Sequence, residues 1–368
     1  MNRIAALRDE LAGAGLRLRK AQPRGPGRLI MELDAPDARV CAGQWHADAT
    51  ETYRAAAGMR DRFGDDSVQV LAGGEVLVQH AGADHKLSAL RDLVAAPDAS
   101  LVAHRPERRA VVRVGVDRYL KVVRPGRTAG VVLPLEHIRA EDLQLPKVLD
   151  SDDRRGLVTL AALPGTTLHQ RLADPTTDDD ELARDATRVG VVVRSLHAQG
   201  PVIPHKVHDA AAEIAATSRW LDAATSHGLL DPAAWRPVLD RVGSRLPEGP
   251  HRPALLHRDL HDKQLILNGA APVGLLDLDL AAYGDPAVDL ANLVVHLDLR
   301  VRQGVCSERR AARCSAALLD GYSPDRDLLA RMVPYAAITR LRLAGVYCFR
   351  DAPAGLVSGL LRDAAEVL

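Results

Sequence analysis

The sequence has no run of about 18 apolar residues, the length a membrane-crossing helix needs, so no membrane span is expected. It has no Cys-x-x-Cys pair among its four cysteines, Cys41, Cys306, Cys314 and Cys348. They read as buried thiols of a cytoplasmic protein, not as a disulfide frame or a zinc site. An excess of one charge is missing as well, because 48 Lys and Arg balance 48 Asp and Glu. That balance gives no electrostatic reason to expect nucleic acid or an anionic membrane as the main partner. The segment Met1–Glu10 is charged and lacks the apolar core of a signal peptide, which again points to the cytoplasm. Internal repeats and low-complexity segments are absent. Lysine itself is scarce: only Lys20, Lys86, Lys121, Lys147, Lys206 and Lys263 stand among the 48 basic residues. A lysine in an otherwise apolar strand therefore carries more information here than usual.

What is present is an ordinary globular composition, 47% hydrophobic and 26% charged over 368 residues. That length suggests two or three domains and a core that needs neither disulfides nor metals. Residues 1–99 read as a small α/β unit. Strands are expected at Leu29–Leu33 and Val40–Gln44, helices at Ala47–Phe63 and Lys86–Ala95, and a hairpin around Gly73-Gly74 between Val68–Leu71 and Glu75–Gln79. Residues 100–163 change to strand-like runs at Leu101–His104, Ala110–Val114 and Tyr119–Val123. A helix over Gly130–Ile138 and two further strands, Lys147–Leu149 and Leu157–Leu160, complete this part. Leu163-Pro164-Gly165 punctuates the chain as a hinge would. Residues 164–368 then turn helical. Leu182, Ala186, Val189, Val193 and Leu196 fall on one face of a long helix that starts after the acidic run Asp178–Asp180 and ends at Gly200-Pro201. Helices are expected at Val207–Ser226, Pro232–Leu246, Pro286–Leu299, Ser307–Leu319, Leu328–Phe349 and Ala354–Leu368, around a strand-rich insert at Ala254–Leu278. The fold class is α+β: a small strand-rich lobe, a link and a larger helical lobe, preceded by an α/β cap.

The chemistry concentrates in His257-Arg258-Asp259-Leu260-His261-Asp262-Lys263-Gln264, then Leu276-Asp277-Leu278-Asp279, then Gly284-Asp285-Pro286-Ala287-Val288-Asp289-Leu290-Ala291. Phosphoryl transfer is mostly positioning and charge neutralisation. It asks for one carboxylate to orient a hydroxyl and take its proton, oxygen ligands for a hard cation, and a cation near the phosphates. Asp259 follows the apolar run Ala254–Leu256 on an irregular turn. Gln264 lies where the chain re-enters a strand, Asp277 closes the next one, and a hairpin would bring the two together.

These three motifs, in this order, resemble the catalytic core of the aminoglycoside phosphotransferase and choline kinase-like family, relatives of the protein kinases. The resemblance implies a bilobal protein-kinase-like fold and transfer of the γ-phosphoryl group of Mg·ATP, with GTP as an alternative donor, to a hydroxyl of a small molecule. It makes Asp259 the catalytic base and Gln264 and Asp277 the Mg²⁺ ligands. Glutamine stands where the family has asparagine, a feature shared with maltokinase-like members. Asp279 reads either as a further metal or substrate contact or as a solvated carboxylate. His261 and Asp262 read either as acceptor-pocket lining or as exposed turn residues. Lys121, in Tyr119-Leu120-Lys121-Val122-Val123, fits the strand lysine that holds the α/β phosphates, with Glu136 as its partner and Glu141 as the alternative. His197, His257, Asp285 and Asp289 read as structural. The turn Arg105-Pro106-Glu107-Arg108 lacks the Gly-x-Gly that wraps phosphate, and no long activation loop or Ala-Pro-Glu motif follows Asp277, which argues against a protein kinase proper.

The acceptor is less legible. From Asp298 to Leu368 there are eight acidic residues and eleven arginines, so the acidic lining that a polycationic aminoglycoside would favour is not visible. This tilts the expectation toward a sugar or natural-product hydroxyl. The alternative function is a nucleotide-binding pseudokinase that regulates a partner protein.

Overall fold

The computed structural model describes residues 3–366, apart from 38, 72, 141, 205 and 248–252. The chain opens with helix α1 (Arg3–Gly13) and strands β1 (Arg17–Pro23), β2 (Arg28–Asp34) and β3 (Val40–His46). Helix α2 (Ala49–Phe63), strands β4 (Val68–Val70) and β5 (Val76–Gln79) and helix α3 (Leu90–Val94) follow. The strands form one antiparallel sheet in the order β1-β2-β3-β5-β4. Strands β2 to β5 and helix α2 are as expected from the sequence, whereas α1 and β1 were not anticipated. Arg17, Arg19 and Lys20 make β1 read as a polar loop. Its neighbour explains why it is a strand: Lys20 Nζ lies 3.1 Å from the buried Glu32 carboxylate on β2, and Arg19 also reaches that carboxylate. Helix α3 is shorter than expected, because the Asp84 carboxylate accepts the N–H groups of Lys86 (2.8 Å) and Leu87 (3.2 Å) and holds them in a turn.

The small lobe is a second five-stranded sheet, ordered β10-β11-β8-β7-β6. It uses β6 (Ala99–Arg105), β7 (Arg109–Val114), β8 (Arg118–Val123), β10 (Val148–Asp152) and β11 (Leu157–Ala161), with α4 (Ala129–His137) beside them and the short β9 (Leu143–Gln144) paired elsewhere. In this register Lys121 stands opposite Val111, and Arg109 opposite both Val123 and Arg105. Side chains alternate faces along a strand, so Lys121, Arg109 and Arg105 share the face turned to the large lobe.

The large lobe begins after Gly165 with β12 (Thr166–Thr167) and α5 (Leu168–Ala173), and its spine is α6 (Asp179–His197). Asp178 caps α6 by accepting the N–H groups of Asp180 and Glu181. Strand β13 (Val207–His208) precedes α7 (Ala210–Ser226) and α8 (Arg236–Gly243). The expected helix from Val207 therefore starts three residues later, because Val207 and His208 pair in parallel with Tyr283 and Gly284. Strands β14 (Ala254–Leu256), β15 (Leu265–Leu267), β16 (Val273–Leu275) and β17 (Ala282–Gly284) lead into α9 (Ala287–Arg302), α10 (Glu308–Tyr322), α11 (Arg326–Tyr347) and α12 (Leu356–Glu366). Helices α6 and α10 touch along Gly190 and Gly321. A Cβ on Gly190 would lie 2.1 Å from the Leu318 oxygen, and one on Gly321 would lie 2.0 Å from the Thr187 oxygen, so only glycine lets these backbones meet.

The N-terminal unit packs on both lobes. Against the small lobe, the His104 N–H donates to Glu32 Oε2 (3.1 Å). His104 Nε2 lies 2.9 Å from Asp84 Oδ2, which also accepts the Glu107 N–H (2.7 Å). Against the large lobe, the Ala21 N–H on β1 donates to the Phe349 oxygen (2.8 Å), and Arg8 donates to the Arg350 oxygen (2.6 Å). Phe349 is fully buried in the same apolar cluster as Leu7, Leu11, Leu18 and Met31 of the N-terminal unit. Truncating this side chain leaves a cavity where the two parts meet. Phe349→Ala is expected to cost about 3–5 kcal/mol, read as a lower midpoint in thermal or urea unfolding, with proteolytic cleavage appearing first in residues 3–80.

Candidate active site

After β14 the chain makes the tight turn His257-Arg258-Asp259, with Arg258 in the left-handed region at φ 70°. A non-glycine residue there is strained and needs strong partners. They come from Asp289, fully buried in the first turn of α9. Its carboxylate accepts the N–H groups of His257 (2.6 Å) and Arg258 (2.7 Å). It also faces His197 Nε2 at 3.2 Å, while His197 Nδ1 lies 2.9 Å from the Tyr322 hydroxyl. Tyr322 as donor to Nδ1 leaves the His197 proton on Nε2, aimed at Asp289. Burial alone would raise the pKa of Asp289, but the hydrogen bond from His197 and that from the His257 N–H hold it below the usual carboxylate range.

The His257 ring then ties the two halves of the site together. Its Nδ1 accepts the Asp259 N–H (3.2 Å), and its Nε2 donates to the Leu276 oxygen (2.7 Å), one residue before Asp277. The Leu276 N–H donates to the Gln264 oxygen (2.9 Å), and Leu265 pairs with Leu275 across the β15–β16 hairpin. The hairpin anticipated from the sequence thus sets Gln264 beside Asp277. No hydrogen bond or ion pair from the described residues reaches the Asp259 carboxylate or the Gln264 side-chain amide.

Asp277 is also left-handed, at φ 60°, and turns its carboxylate toward the small lobe. Lys121 Nζ donates to Asp277 Oδ1 (2.9 Å) and to Asp279 Oδ1 (2.7 Å). Arg109 Nη1 donates to Asp277 Oδ1 and Asp279 Oδ2, both at 3.1 Å, and its Nη2 to Asp277 Oδ2 (3.2 Å). Two cations and two carboxylates, each no more than a third exposed, therefore span the cleft. Burial works against the ionised form of Asp277, but Lys121 and Arg109 outweigh it and hold the carboxyl well below its ordinary range.

The structure revises several of the sequence expectations. Glu136 is exposed on α4 and forms no ion pair among the described residues. Lys121 turns instead to Asp277 and Asp279, which offer two carboxylates where Glu136 would offer one. Glu141, the alternative partner, lies outside the described residues. Asp279 is not a solvated carboxylate, since it shares both cations with Asp277. Asp262 is neither acceptor lining nor an exposed turn residue. It is fully buried and receives a two-point bond from Arg300 (Nε to Oδ2 2.8 Å, Nη2 to Oδ1 2.7 Å), with His169 Nδ1 at 2.7 Å. His261 is half-buried, its ring 4.9 Å from that of His296, and its Nδ1 accepts the Lys263 N–H (3.2 Å). Burial lowers its pKa, so the neutral ring carries its proton on Nε2. Asp285 accepts the Ala287 N–H (3.0 Å) and Arg331 Nε (2.9 Å) and caps the start of α9.

Arg109 and Arg300 escaped the sequence reading. The signal for Arg109 was its place on β7 two residues before Val111, the partner of Lys121, and so on the same face as that lysine, but 42 arginines in one chain hide any single one.

As a metal site, the arrangement offers only oxygen atoms: two carboxylates and the free amide of Gln264. Among the described residues no group of three or more His, Cys, Asp or Glu side chains is placed to hold a metal. The oxygen set nevertheless fits a hard divalent cation, and the positive charge between the carboxylates is supplied by Lys121 and Arg109.

Residues 79–332 match the family model of the phosphotransferase enzyme family, APH. The chain belongs to this family. It is accordingly a phosphotransferase, and its strand-rich and helical lobes are those of the protein-kinase-like fold. Among solved structures it is similar to the ADP-bound aminoglycoside phosphotransferase APH(2'')-Ib (15% identity, 76% of this chain and 97% of that chain, TM-score 0.48). It is also similar to a choline/ethanolamine kinase family protein from Mesorhizobium loti (18% identity, 77% and 92% coverage, TM-score 0.49). A third similar structure is an aminoglycoside-3'-phosphotransferase of type VIII (19% identity, 70% and 99% coverage, TM-score 0.49). No relative is found among curated proteins. No described helix of this phosphotransferase is long and apolar enough to cross a membrane.

Buried carboxylates also give this phosphotransferase its acid response. Burial pushes Glu213 upward, but His208, with Nε2 at 2.6 Å, and Arg342, at 3.3 Å, bring it down from 4.5 to about 2. Asp262 and Asp289 are depressed in the same sense. A carboxylate depressed in the folded chain stabilises it above the unfolded pKa and loses that contribution as pH falls through the folded one. The unfolding midpoint should therefore hold between pH 7 and 5 and fall steeply from about 4.5 to 2. In Glu213→Gln, thermal scans across that range should show a smaller fall.

Proposed function

We propose that the chain moves the γ-phosphoryl group of Mg·ATP to a hydroxyl of a small molecule, with Asp259 as the base. The observation that carries this reading is the Asp259 carboxylate, left without a hydrogen-bond or ion-pair partner among the described residues on a turn that four hydrogen bonds fix. Asp277 and Asp279 lie with it on the large lobe and face Lys121 and Arg109 of the small lobe. A free carboxylate in a rigid frame is suited to orient a hydroxyl and accept its proton. Gln264 and Asp277, joined by Asp279, would hold Mg²⁺, which supplies charge neutralisation at the β- and γ-phosphates. Lys121 exchanges one anionic partner for another when it turns from Asp277 to the nucleotide phosphates, and Arg109 can do the same. His257 keeps Asp259 and Asp277 in fixed relation throughout.

GTP remains a donor to be compared with ATP. The acceptor belongs to the sugars, aminoglycosides or natural-product alcohols, and the excess of arginine over acids in residues 298–368 favours the neutral or weakly charged members of that set.

The test is a mass-spectrometric screen of the purified chain with Mg·ATP and Mg·GTP against pooled sugars, aminoglycosides, nucleosides and amino alcohols. A product heavier by one phosphoryl group names the acceptor. Nucleotide binding without any product across the pools favours the pseudokinase reading. With the acceptor in hand, Asp259→Asn should lower kcat by about 100-fold or more and leave the nucleotide Kd within about threefold. Asp277→Ala should weaken Mg·nucleotide binding as well. Normal turnover by Asp259→Asn would remove this residue from the role of base.

A further inference from the structure

The turn between β6 and β7, Arg105-Pro106-Glu107-Arg108, lies where a glycine loop would cover the nucleotide phosphates, and its backbone amides are already committed. Pro106 has no N–H. The Glu107 N–H donates to Asp84 Oδ2 (2.7 Å), and the Arg108 N–H donates to the Arg105 oxygen (3.0 Å). Glu107 sits at φ 61°, with its oxygen bonded to Arg124 Nε (2.6 Å) and its carboxylate to Arg28 and Lys86. A turn pinned in this way cannot wrap a phosphate with its own N–H groups. Any charge it offers must come from side chains.

Arg105 provides that charge. It pairs in register with Arg109, whose guanidinium reaches Asp277 and Asp279, so Arg105 lies on the cleft face. Its Nε donates to Gln22 Oε1 on β1 of the N-terminal unit (2.6 Å), and neither of its terminal nitrogens has a protein partner among the described residues. Burial and the crowding of Arg109, Arg108 and Arg24 push its pKa down to about 10, so it is still charged at neutral pH, and the nearby Asp259 offsets this only in part. An arginine held at Nε, with both terminal N–H₂ groups free in a cluster of like charge, presents a fork suited to phosphate oxygens.

We propose that Arg105, aimed by Gln22 of the N-terminal unit, binds the phosphates of the nucleoside triphosphate in place of a glycine loop. The N-terminal unit thereby forms one wall of the nucleotide site. Gln22 is a positioning residue, acting through the Arg105 Nε. The inference rests on the nucleotide reading given above.

The experiment is calorimetric titration of the full chain with ATP and, separately, with adenosine, both in Mg²⁺ buffer. Arg105→Ala should weaken ATP binding at least tenfold and leave adenosine binding within twofold, which also shows that the variant is folded. Arg105→Lys should fall between the two. Gln22→Leu, similar in size but without an acceptor, should weaken ATP and not adenosine, whereas Gln22→Glu, which keeps an acceptor for Nε, should stay closer to the unaltered chain. Equal ATP affinity in Arg105→Ala and the unaltered chain would overturn this proposal alone. Failure of the unaltered chain to bind ATP would overturn it together with the reading beneath it. Equal loss of ATP and adenosine in Gln22→Leu would reduce Gln22 to a packing residue and overturn its part.

Discussion

One buried carboxylate organises the catalytic end of the molecule. Asp289 accepts two successive backbone N–H groups and faces the Nε2 proton of His197, so its charge is met by three donors without a water-exposed edge. Left-handed backbone at Arg258 costs about 1–3 kcal/mol, and charge-assisted bonds of this kind are strong enough to offset it. Because His257 carries the restraint on to Leu276, the position of Asp259 and that of Asp277 are consequences of the same anchor. The free carboxylate and the paired ones are therefore parts of one frame, although Asp277 and Asp279 lie 18 and 20 positions beyond Asp259 in the chain.

Much of this architecture is legible in the sequence. The strands β6 to β8 and the helix α6 follow from period-2 and period-3.6 patterning, and Asp178 marks the helix start because its side chain can take orphan N–H groups. The hairpin that sets Gln264 beside Asp277 follows from two short apolar runs with a polar turn between them. What was not legible depends on partners distant in sequence. Nothing local to His261-Asp262-Lys263 says that Arg300, 38 residues on, will bury Asp262. Spacing suggests Glu136 for Lys121, but spacing cannot weigh one carboxylate on a helix against two at the end of a hairpin. β1 was hidden for a related reason: its basic side chains are neutralised by Glu32 on the adjacent strand, and a pattern of polar residues does not show that compensation.

Lys121 and Arg109 give the cleft a resting state close to neutral. Each carboxylate of Asp277 and Asp279 already has a cation, so neither is an isolated buried charge, whose desolvation would be costly. The same pairing keeps the two faces of the cleft in contact through side chains alone, since the backbones of β8 and of the Asp277 turn belong to different sheets.

The N-terminal unit changes the mechanics of the whole. The small lobe is joined to the large one by the chain at residues 163–165, by the pairing of β9 with β16 and, through the first sheet, again at Phe349. Two points alone would leave a hinge along the line that joins them, and the β9–β16 pairing adds a third tie that resists it. The protein thus resembles a closed frame more than a jaw: widening the cleft stretches β1 away from Phe349 or shears the first sheet along β6. The N-terminal unit therefore acts as a brace, and a change in the gap between the lobes is felt at β1 and Phe349, outside the cleft itself.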